Sequence, residues 1–207
     1  MDICLIGINH RTAPVAIREK AAVRFVKLDE TLQALRAHVS HGIILSTCNR
    51  TELYTVTNGD SNTMEIIIDF FQAHLDISDA ILNTCTYTLE GLAAVEHLFR
   101  TASGLDSMIL GEYEVLGQVG QAFRAAESAN TVNLPLRHIF QNAIRIGRRV
   151  REETGISRNA FSVSSVAVDL ATMVVGELQN CQMLVIGAGE AGRLVAKAAK
   201  ERGISRI

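Results

Sequence analysis

The chain has 207 residues, of which 48% are hydrophobic and 20% are charged, and its net charge at pH 7 is −2. This composition is typical of a folded globular protein of one or two domains, and the near-neutral charge excludes nucleic-acid binding through an overall basic surface. No stretch approaches the ~18 apolar residues of a membrane span, and the first residues lack the basic and apolar regions of a secretory signal. We therefore expect a cytoplasmic protein that does not associate with membranes.

The first 155 residues mix strand and helix patterns. Short apolar or alternating runs predict strands at Ile3–Ile8, Ile43–Ser46 and Thr51–Val56. Apolar residues three to four positions apart predict helices from Asp29 to Val39 (ended by Gly42), Met64 to Phe71 (after a turn at Asp60–Asn62), Leu92 to Phe99, Val115 to Ala126 and Leu134 to Glu152. This mixture predicts an α+β domain over residues 1–155.

A second unit is predicted over residues 156–207. Gly155 and Ser157–Asn159 have the composition of a hinge, and a helix is predicted from Phe161 to Leu178. An apolar strand at Met183–Ile186 then leads into a glycine-rich turn and a helix with Gly203 as its C-cap. Strand, turn and helix in this order predict the beginning of an α/β Rossmann-type domain. Because such a sheet needs several more strands, we expect only its first part here.

The glycine-rich turn has the spacing G-x-G-x-x-G after a strand and before a helix. Its first glycine permits the tight turn, the second lets the backbone approach a pyrophosphate, and the helix N-terminus offers N–H groups to the phosphates. We predict that a nicotinamide dinucleotide binds to Gly187, Ala188, Gly189, Glu190, Ala191 and Gly192. A turn without nucleotide could share this pattern, and the turn leaves NAD and NADP open, because the residue that separates them follows ~20 positions later.

Four scattered cysteines, Cys4, Cys48, Cys85 and Cys181, lack metal-ligand spacing, so we predict reduced thiols and no metal site. Cys48 differs from the others because it lies in a polar loop between two predicted strands, two residues from Arg50. A nearby cation favours the thiolate, which is the nucleophilic form. The other three are predicted to be small buried hydrophobes. On local chemistry alone, a structural role explains Cys48 equally well.

Two further features have alternative explanations. His97 lies among apolar residues, a pattern that favours a core-packed histidine. A basic cluster near the end of one predicted helix could contact an RNA backbone, or it could be a solvated helix C-terminus, where the dipole favours cations. This cluster consists of Arg145, Arg148, Arg149 and Arg151.

Four segments together resemble the glutamyl-tRNA reductase family: Gly7–Pro14 (GINHRTAP), Leu45–Tyr54 (LSTCNRTELY), Ala102–Gly111 (ASGLDSMILG) and Leu116–Phe123 (LGQVGQAF). They occur in the family's order and precede a nucleotide turn. The resemblance implies an NADPH-dependent oxidoreductase that opens the five-carbon route to tetrapyrroles. Such an enzyme reduces glutamyl-tRNA(Glu) to glutamate-1-semialdehyde through a cysteine thioester. It also implies a ferredoxin-like sheet with helices for the catalytic domain.

The resemblance assigns roles to individual residues. It implies that Cys48 is the nucleophile and that His97 is a catalytic acid or base. Arg50 would bind the side-chain carboxylate of the glutamyl group. The further implied substrate contacts are Thr47, Asn49, Ser107, Glu112, Tyr113, Glu114 and Gln118. The chain departs from many relatives at Tyr113-Glu114, where they have Pro-Gln.

Partners also follow from the resemblance. Glutamyl-tRNA(Glu) would be the substrate, the complete protein would be a homodimer through a C-terminal helical domain absent from these residues, and glutamate-1-semialdehyde aminomutase is a candidate partner. Two other hypotheses remain: a generic NAD(P)-dependent aldehyde dehydrogenase-like enzyme and a non-catalytic nucleotide-binding regulatory module. Dependence on charged tRNA separates the first from the reductase, and the intact motif at Ser46–Arg50 argues against the second.

Overall fold

A computed structural model describes residues 2–23, 25–57, 62–74, 79–157 and 163–207. The chain divides into two compact units, Met1–Ile156 and Ser157–Ile207, which we describe separately. Within these described ranges, no helix is both long enough and apolar enough to cross a bilayer.

In its described residues, the first unit contains a four-stranded sheet covered by seven helices. The strands are β1 (Asp2–Asn9), β2 (Gly42–Ser46), β3 (Arg50–Thr57) and β4 (Tyr87–Glu90). The helices are α1 (Val15–Ala21), α2 (Phe25–His38), α3 (Thr63–His74), α4 (Asp79–Cys85), α5 (Gly91–Ala102), α6 (Glu114–Ser128) and α7 (Leu134–Thr154). The strand order is β2-β3-β1-β4, and each neighbouring pair is antiparallel. The prediction of an α+β unit is confirmed.

Helices cover both faces of this sheet. Tyr54 of β3 meets Phe140 of α7 edge to face, with ring centroids 5.2 Å apart, on one face. Leu53, the next residue towards the N-terminus, lines a small pocket with Phe70 and Phe71 of α3 on the other face. Because successive side chains of a strand point to opposite faces, polar residues of β3 cannot all face water here.

The boundaries of two predicted elements are wrong. Helix α2 begins at Phe25, four residues before the predicted cap at Asp29, because Leu28 packs on the core and extends the apolar stripe. Gly42 does not end that helix but belongs to β2, where its N–H donates to the carbonyl of Thr131 at 2.8 Å. Helices α1 and α4 were not predicted. Within the predicted turn at Asp60–Asn62, Asp60 and Ser61 lie outside the described residues.

The second unit contains α8 (Val163–Val175), a 3₁₀ turn at Leu178–Asn180 and α9 (Glu190–Glu201). Helix α8 ends before the predicted Leu178, and its predicted start at Phe161 lies outside the described residues, as do Arg158 and Asn159 of the predicted hinge. A small apolar cluster joins the elements of this unit: Val168, Leu178, Ala198, Ala199 and Ile204.

The predicted strand Met183–Ile186 does not form. Among the described residues of this unit, the only strand-like pairing is a parallel bridge between Gln182 and Arg206. Leu184 is 84% exposed and Ile186 is 92% exposed. A β-strand is maintained by hydrogen bonds to neighbouring strands, and a single bridge supplies too few of them. The C-cap of α9 is Arg202, and Gly203 follows it with a φ of 97°, so the predicted glycine lies one position beyond the cap.

Gly147 of α7 lets this helix approach the end of α5. A Cβ at Gly147 would lie 2.5 Å from the carbonyl oxygen of Ala102, whereas a Cβ at Gly117 of α6 would meet nothing within 4 Å. We therefore expect Gly147→Ala to lower the free energy of unfolding by about 1–3 kcal/mol through overpacking. Gly117→Ala should raise it by up to about 1 kcal/mol, because alanine favours helices. Urea unfolding of both variants checks this pair, and a stabilising Gly147→Ala would contradict the close approach.

Candidate active site

The loop that joins β2 to β3 presents Cys48. The Thr47 hydroxyl oxygen accepts hydrogen bonds from the backbone N–H groups of Asn49 and Arg50, both at 3.1 Å. The Thr47 N–H donates to the carbonyl of Arg50 at 2.8 Å. These bonds close the hairpin and leave Cys48 exposed at its tip. The hydroxyl of Thr47, a predicted substrate contact, thus shapes the loop that carries the thiol.

Acidic neighbours hold Cys48 towards its protonated form. Partial burial raises the pKa of the Cys48 thiol, and the carboxylates of Glu112 and Glu114 raise it further. Arg18 opposes them, and its Nε donates to the Cys48 carbonyl at 3.4 Å. The expectation that Arg50 makes Cys48 a thiolate is wrong, because the Arg50 side chain turns into the interior and the net pKa shift is upward. The thiol is accessible, but it must lose its proton before it can attack.

A buried carboxylate lies directly beneath this loop. Glu52 has no exposed surface, and its Oε1 accepts hydrogen bonds from Arg50 Nη1 at 2.8 Å, His97 Nε2 at 2.9 Å and the Tyr87 hydroxyl at 2.6 Å. Its Oε2 accepts from the Tyr54 hydroxyl at 2.6 Å. Burial alone would raise the pKa of Glu52, but the Arg50 charge and the bonds from His97 and Tyr54 bring the pKa to about 2. We call these five residues the Glu52 cluster.

Strand geometry brings the Glu52 cluster together. Arg50, Glu52 and Tyr54 alternate along β3 and therefore share one face. Across the sheet, Gly7 pairs with both Glu52 and Tyr87. A Cβ at Gly7 would lie 2.8 Å from Cγ of Glu52, so the glycine makes room for the carboxylate. Sequence analysis missed Glu52 because alternating polar residues ordinarily mark the solvated face of an antiparallel strand.

Arg50 is anchored on one side and open on the other. Its Nη1 donates to Glu52 and, at 2.8 Å, to the Thr101 hydroxyl, and its Nη2 donates to the carbonyl of Asp106 at 2.7 Å. The side chain is only 2% exposed. Within the described part of the chain, Nε–H and the second Nη2 proton of Arg50 have no hydrogen-bond acceptor. Nε and Nη2 form one edge of the guanidinium, and such an edge can bind a carboxylate through both oxygens.

The loop after α5 carries another predicted contact. Asp106 is held by Arg100, whose Nε and Nη2 donate to its carboxylate at 3.0 and 3.1 Å. The adjacent Ser107 hydroxyl is buried and has no hydrogen-bond partner. Buried polar groups are usually paired, so a buried hydroxyl that has no partner among the described residues suits contact with a ligand.

Arg151 holds both ends of the loop between α5 and α6 by hydrogen bonds to backbone carbonyls. Its guanidinium donates to the carbonyls of Ala102 at 2.6 Å, Gly147 at 2.8 Å and Glu112 at 2.9 Å. The grouping of Arg151 with a solvent-facing basic cluster is therefore wrong. Of the other members, Arg149 pairs with Glu153 and Arg145 with Asn142.

The remaining predicted contacts spread along α6. Tyr113 is 61% exposed next to the start of the helix, and Glu114 is exposed in its first turn. Gln118 lines a crevice of about 180 Å³ together with Ile44 and Ser46 of β2. Only Glu112 and Glu114 of this group act on the Cys48 thiol.

The other cysteines are less accessible than Cys48. Cys4 is buried in β1, and burial raises its pKa to about 11. Cys85 and Cys181 are half-buried, so the prediction that both are buried hydrophobes is wrong. Both lie beside an element end, where fewer neighbours cover the side chain.

The glycine-rich turn of the second unit has the backbone that a phosphate-binding turn needs. Gly187 has a φ of 104°, and a Cβ at Gly192 would lie 2.4 Å from the carbonyl oxygen of Gly187. Helix α9 begins at Glu190, and a Cβ at Gly189 would meet nothing within 4 Å. Open space at the glycine that precedes a helix N-terminus fits the approach of a dinucleotide pyrophosphate.

Comparisons with known proteins identify the family of this chain. Residues 6–154 match the family model described as "Glutamyl-tRNAGlu reductase, N-terminal domain". The chain belongs to the glutamyl-tRNA reductase family. It is 43% identical over 209 residues to the glutamyl-tRNA reductase of Shewanella sp. (strain MR-7) and 44% identical over 211 residues to that of Carboxydothermus hydrogenoformans. These alignments cover 100% of this chain and 49% and 46% of the relatives.

A solved structure gives the same result. Glutamyl-tRNA reductase from Methanopyrus kandleri superposes with a TM-score of 0.68 at 36% identity, over 98% of this chain and 47% of that one. The chain thus spans about half the length of the relatives that it matches. The resemblance read from the sequence motifs is confirmed at the level of the family.

The Glu52 carboxylate should make stability depend on pH. Its pKa is about 2 in the folded chain against an ordinary 4.5, so the unfolded chain binds this proton more tightly. The resulting stabilisation is present above pH 4.5 and is lost as the pH falls towards 2; it is on the order of 3 kcal/mol. Unfolding free energies measured across this range should fall less steeply for Glu52→Gln. Equal slopes in variant and wild type would show that Glu52 is not the group that titrates.

The carboxylates beside Cys48 should control its reactivity. Glu112→Gln removes a negative charge, lowers the pKa of the thiol and should speed iodoacetamide alkylation of Cys48 at neutral pH about two- to threefold. Glu153→Gln on the exposed side of α7 is the matched control and should leave the rate unchanged. Mass spectrometry of the alkylated peptides gives both rates, together with the much slower rate of buried Cys4. An unchanged or slower rate in Glu112→Gln would refute this electrostatic account.

Proposed function

We propose that the chain accepts the glutamyl group of glutamyl-tRNA(Glu) on Cys48, as the first half of an NADPH-dependent reduction to glutamate-1-semialdehyde. The observation that carries this proposal is the exposed Cys48 thiol on a closed hairpin loop that leads into β3, the strand of Arg50 and Glu52, in a chain of the glutamyl-tRNA reductase family. In this role the chain would serve the opening step of tetrapyrrole biosynthesis.

The acyl transfer balances without any further reactant. The Cys48 sulfur forms a bond to the ester carbonyl carbon, the bond from that carbon to the ribose oxygen of the tRNA breaks, and the thiol proton ends on that oxygen. Because the pKa of Cys48 is raised, a base has to take the proton before or during attack. His97, which belongs to the Glu52 cluster, is the base that we assign.

Arg50 is suited to recognise the glutamyl side chain. Its Nη1 stays bound to Glu52, while Nε–H and the Nη2 proton that the Asp106 carbonyl does not take would bind a planar carboxylate. A bidentate bond of this kind would distinguish glutamyl from glutaminyl esters, since an amide offers only one acceptor oxygen. Ser107, whose buried hydroxyl has no partner, supplies a further donor or acceptor. Asn49, Glu112, Tyr113, Glu114 and Gln118 complete the proposed contacts.

We also propose that Ser157–Ile207 begins a Rossmann-type unit and that the sheet of the first unit is ferredoxin-like. The parallel bridge between Gln182 and Arg206 spans α9, as in a β-α-β unit. Residues Gly187 to Gly192 would hold the pyrophosphate of NADPH, with the α9 N-terminus directed at it. When bound, this cofactor supplies the hydride that reduces the thioester. A homodimer, a partnership with glutamate-1-semialdehyde aminomutase and a cytoplasmic location belong to the same proposal.

The nucleophile can be tested directly. Cys48→Ser should accumulate no acyl-enzyme when the chain is mixed with radiolabelled glutamyl-tRNA, because a serine hydroxyl is far less ionised than a thiol. Cys85→Ser is the matched control and should trap label as wild type does. Acid-quenched gels and thermal unfolding report the label and the integrity of the fold. Label retained on folded Cys48→Ser would disprove the assignment. A thioester that forms on Cys48 from glutamate-1-semialdehyde and the oxidised nicotinamide, but not from glutamyl-tRNA, would favour a generic aldehyde dehydrogenase-like chemistry.

A further inference from the structure

We propose that Glu52 is a positioning residue that keeps a proton on Nε2 of His97, so that Nδ1 is the nitrogen that exchanges protons with the acyl substrate. The inference deepens the proposed function and rests on it for the acyl-transfer step. The assignment of the proton-bearing nitrogen, however, rests only on the hydrogen bonds of the Glu52 cluster and can be tested without substrate.

The hydrogen bonds at Oε1 determine which nitrogen carries the proton. An ionised carboxylate can only accept hydrogen bonds, so each group that contacts Oε1 must donate. His97 Nε2 lies 2.9 Å from Oε1, and the guanidinium Nη1 of Arg50, which can only donate, lies farther from Nε2, at 3.5 Å. The closer contact, with the carboxylate, requires Nε2 to be the donor. Nε2 therefore has to bear a hydrogen in both the neutral and the protonated ring.

The other ring nitrogen of His97, Nδ1, is available for proton transfer. A neutral imidazole with its hydrogen on Nε2 has its lone pair on Nδ1. The His97 side chain is 14% exposed, and in the described ranges no protein group forms a hydrogen bond with its Nδ1. The hydrogen bond of Nε2 to Glu52 thus fixes the orientation of the ring, while Nδ1 can take up or release a proton.

With Nε2 bound to Glu52, His97 would both accept and release a proton at Nδ1. Nδ1 takes the proton of the Cys48 thiol, and the imidazolium that forms is stabilised by the Glu52 carboxylate. Nδ1 then gives the proton to the ribose oxygen as the bond from the carbonyl carbon to that oxygen breaks. His97 returns to the neutral form with Nε2 still bound to Glu52, so no other acid or base is consumed.

Other charged groups also surround His97. Arg50 Nη1 of β3 lies 3.5 Å from His97 Nε2, and His97 also interacts electrostatically with the Asp106 carboxylate of the loop after α5. The Tyr87 ring of β4 lies 5.5 Å from the His97 ring, and its hydroxyl is bound to Glu52. Glu52 differs from these groups because it alone contacts the imidazole with a full negative charge at hydrogen-bond distance.

The two oxygens of Glu52 provide a matched pair of variants. Oε1 binds His97, and Oε2 binds Tyr54, which makes no contact with the imidazole in the hydrogen bonds described. Tyr54→Phe therefore weakens the cluster without freeing His97, whereas Glu52→Gln removes the charge that holds Nε2–H. A purely structural role for Glu52 predicts that both variants act through stability alone.

The first experiment needs no substrate, and its one variant serves only to assign the signals. In ¹⁵N-labelled wild-type chain at alkaline pH, where imidazoles are neutral, long-range ¹H–¹⁵N correlation spectra report which nitrogen of each histidine bears hydrogen. His97→Gln, which retains an N–H near the position of Nε2, identifies the His97 signals by their loss. We expect the Nε2–H tautomer. A hydrogen on Nδ1, or rapid averaging of the two tautomers as in free histidine, would overturn the proposal.

The second experiment measures single-turnover acyl transfer from glutamyl-tRNA to Cys48 on folded variants. Glu52→Gln should slow this transfer about 100-fold with little change in the half-saturating glutamyl-tRNA concentration, because an imidazole freed from its carboxylate loses the correct tautomer. Tyr54→Phe should slow it less than about threefold. Equal losses in the two variants would overturn the positioning role. If the wild-type chain itself forms no thioester, the proposed function is wrong. The NMR measurement still decides which nitrogen of His97 bears the hydrogen.

Discussion

One buried carboxylate organises the first unit of this chain. Glu52 receives four hydrogen bonds from side chains of β3, β4 and α5 and has no exposed surface. A buried ion is costly unless it is paired and fully hydrogen-bonded, and Arg50 meets this condition with a bond of 2.8 Å. Removing either partner would leave an uncompensated charge inside the protein, at a cost of about 3–5 kcal/mol. The sheet and the helix above it are therefore fixed relative to each other by electrostatics as well as by apolar packing.

The same constraint links the fold to the proposed chemistry. Arg50 follows the Cys48 loop by two residues, and its anchored guanidinium ties the hairpin to Thr101 of α5 and to the backbone of Asp106. His97 projects from α5 onto the same carboxylate. A thiol, an imidazole and one open guanidinium edge are thus held by one cluster. Gly7 contributes by its lack of a side chain, which leaves the space that the carboxylate fills.

Much of this arrangement could be read from the sequence, and the failures have physical causes. The α+β pattern and the hairpin that carries Cys48 follow from short apolar runs around a polar loop. The Glu52 cluster does not, because alternation along β3 reveals two faces but not that a helix covers the polar one. The charge environment of Cys48 was misjudged because sequence proximity placed Arg50 beside it, whereas tertiary structure places Glu112, Glu114 and Arg18 there. The run at Met183–Ile186 has the composition of a strand, but it forms none, because a strand also needs hydrogen bonds to a neighbouring strand.

We propose that Arg50 serves the fold and the substrate simultaneously, with Nη1 on Glu52 and the Nε–Nη2 edge on the glutamyl carboxylate. The most direct measurement is a crystal structure of the chain with an unreactive amide analogue of 3′-glutamyl-adenosine. The account predicts that the Arg50–Glu52 bond stays near 2.8 Å, that the ligand carboxylate lies on the open edge of Arg50, and that the amide carbonyl carbon faces the Cys48 sulfur. A complex in which Arg50 leaves Glu52 to reach the ligand, or in which the ligand binds away from Cys48, would contradict it.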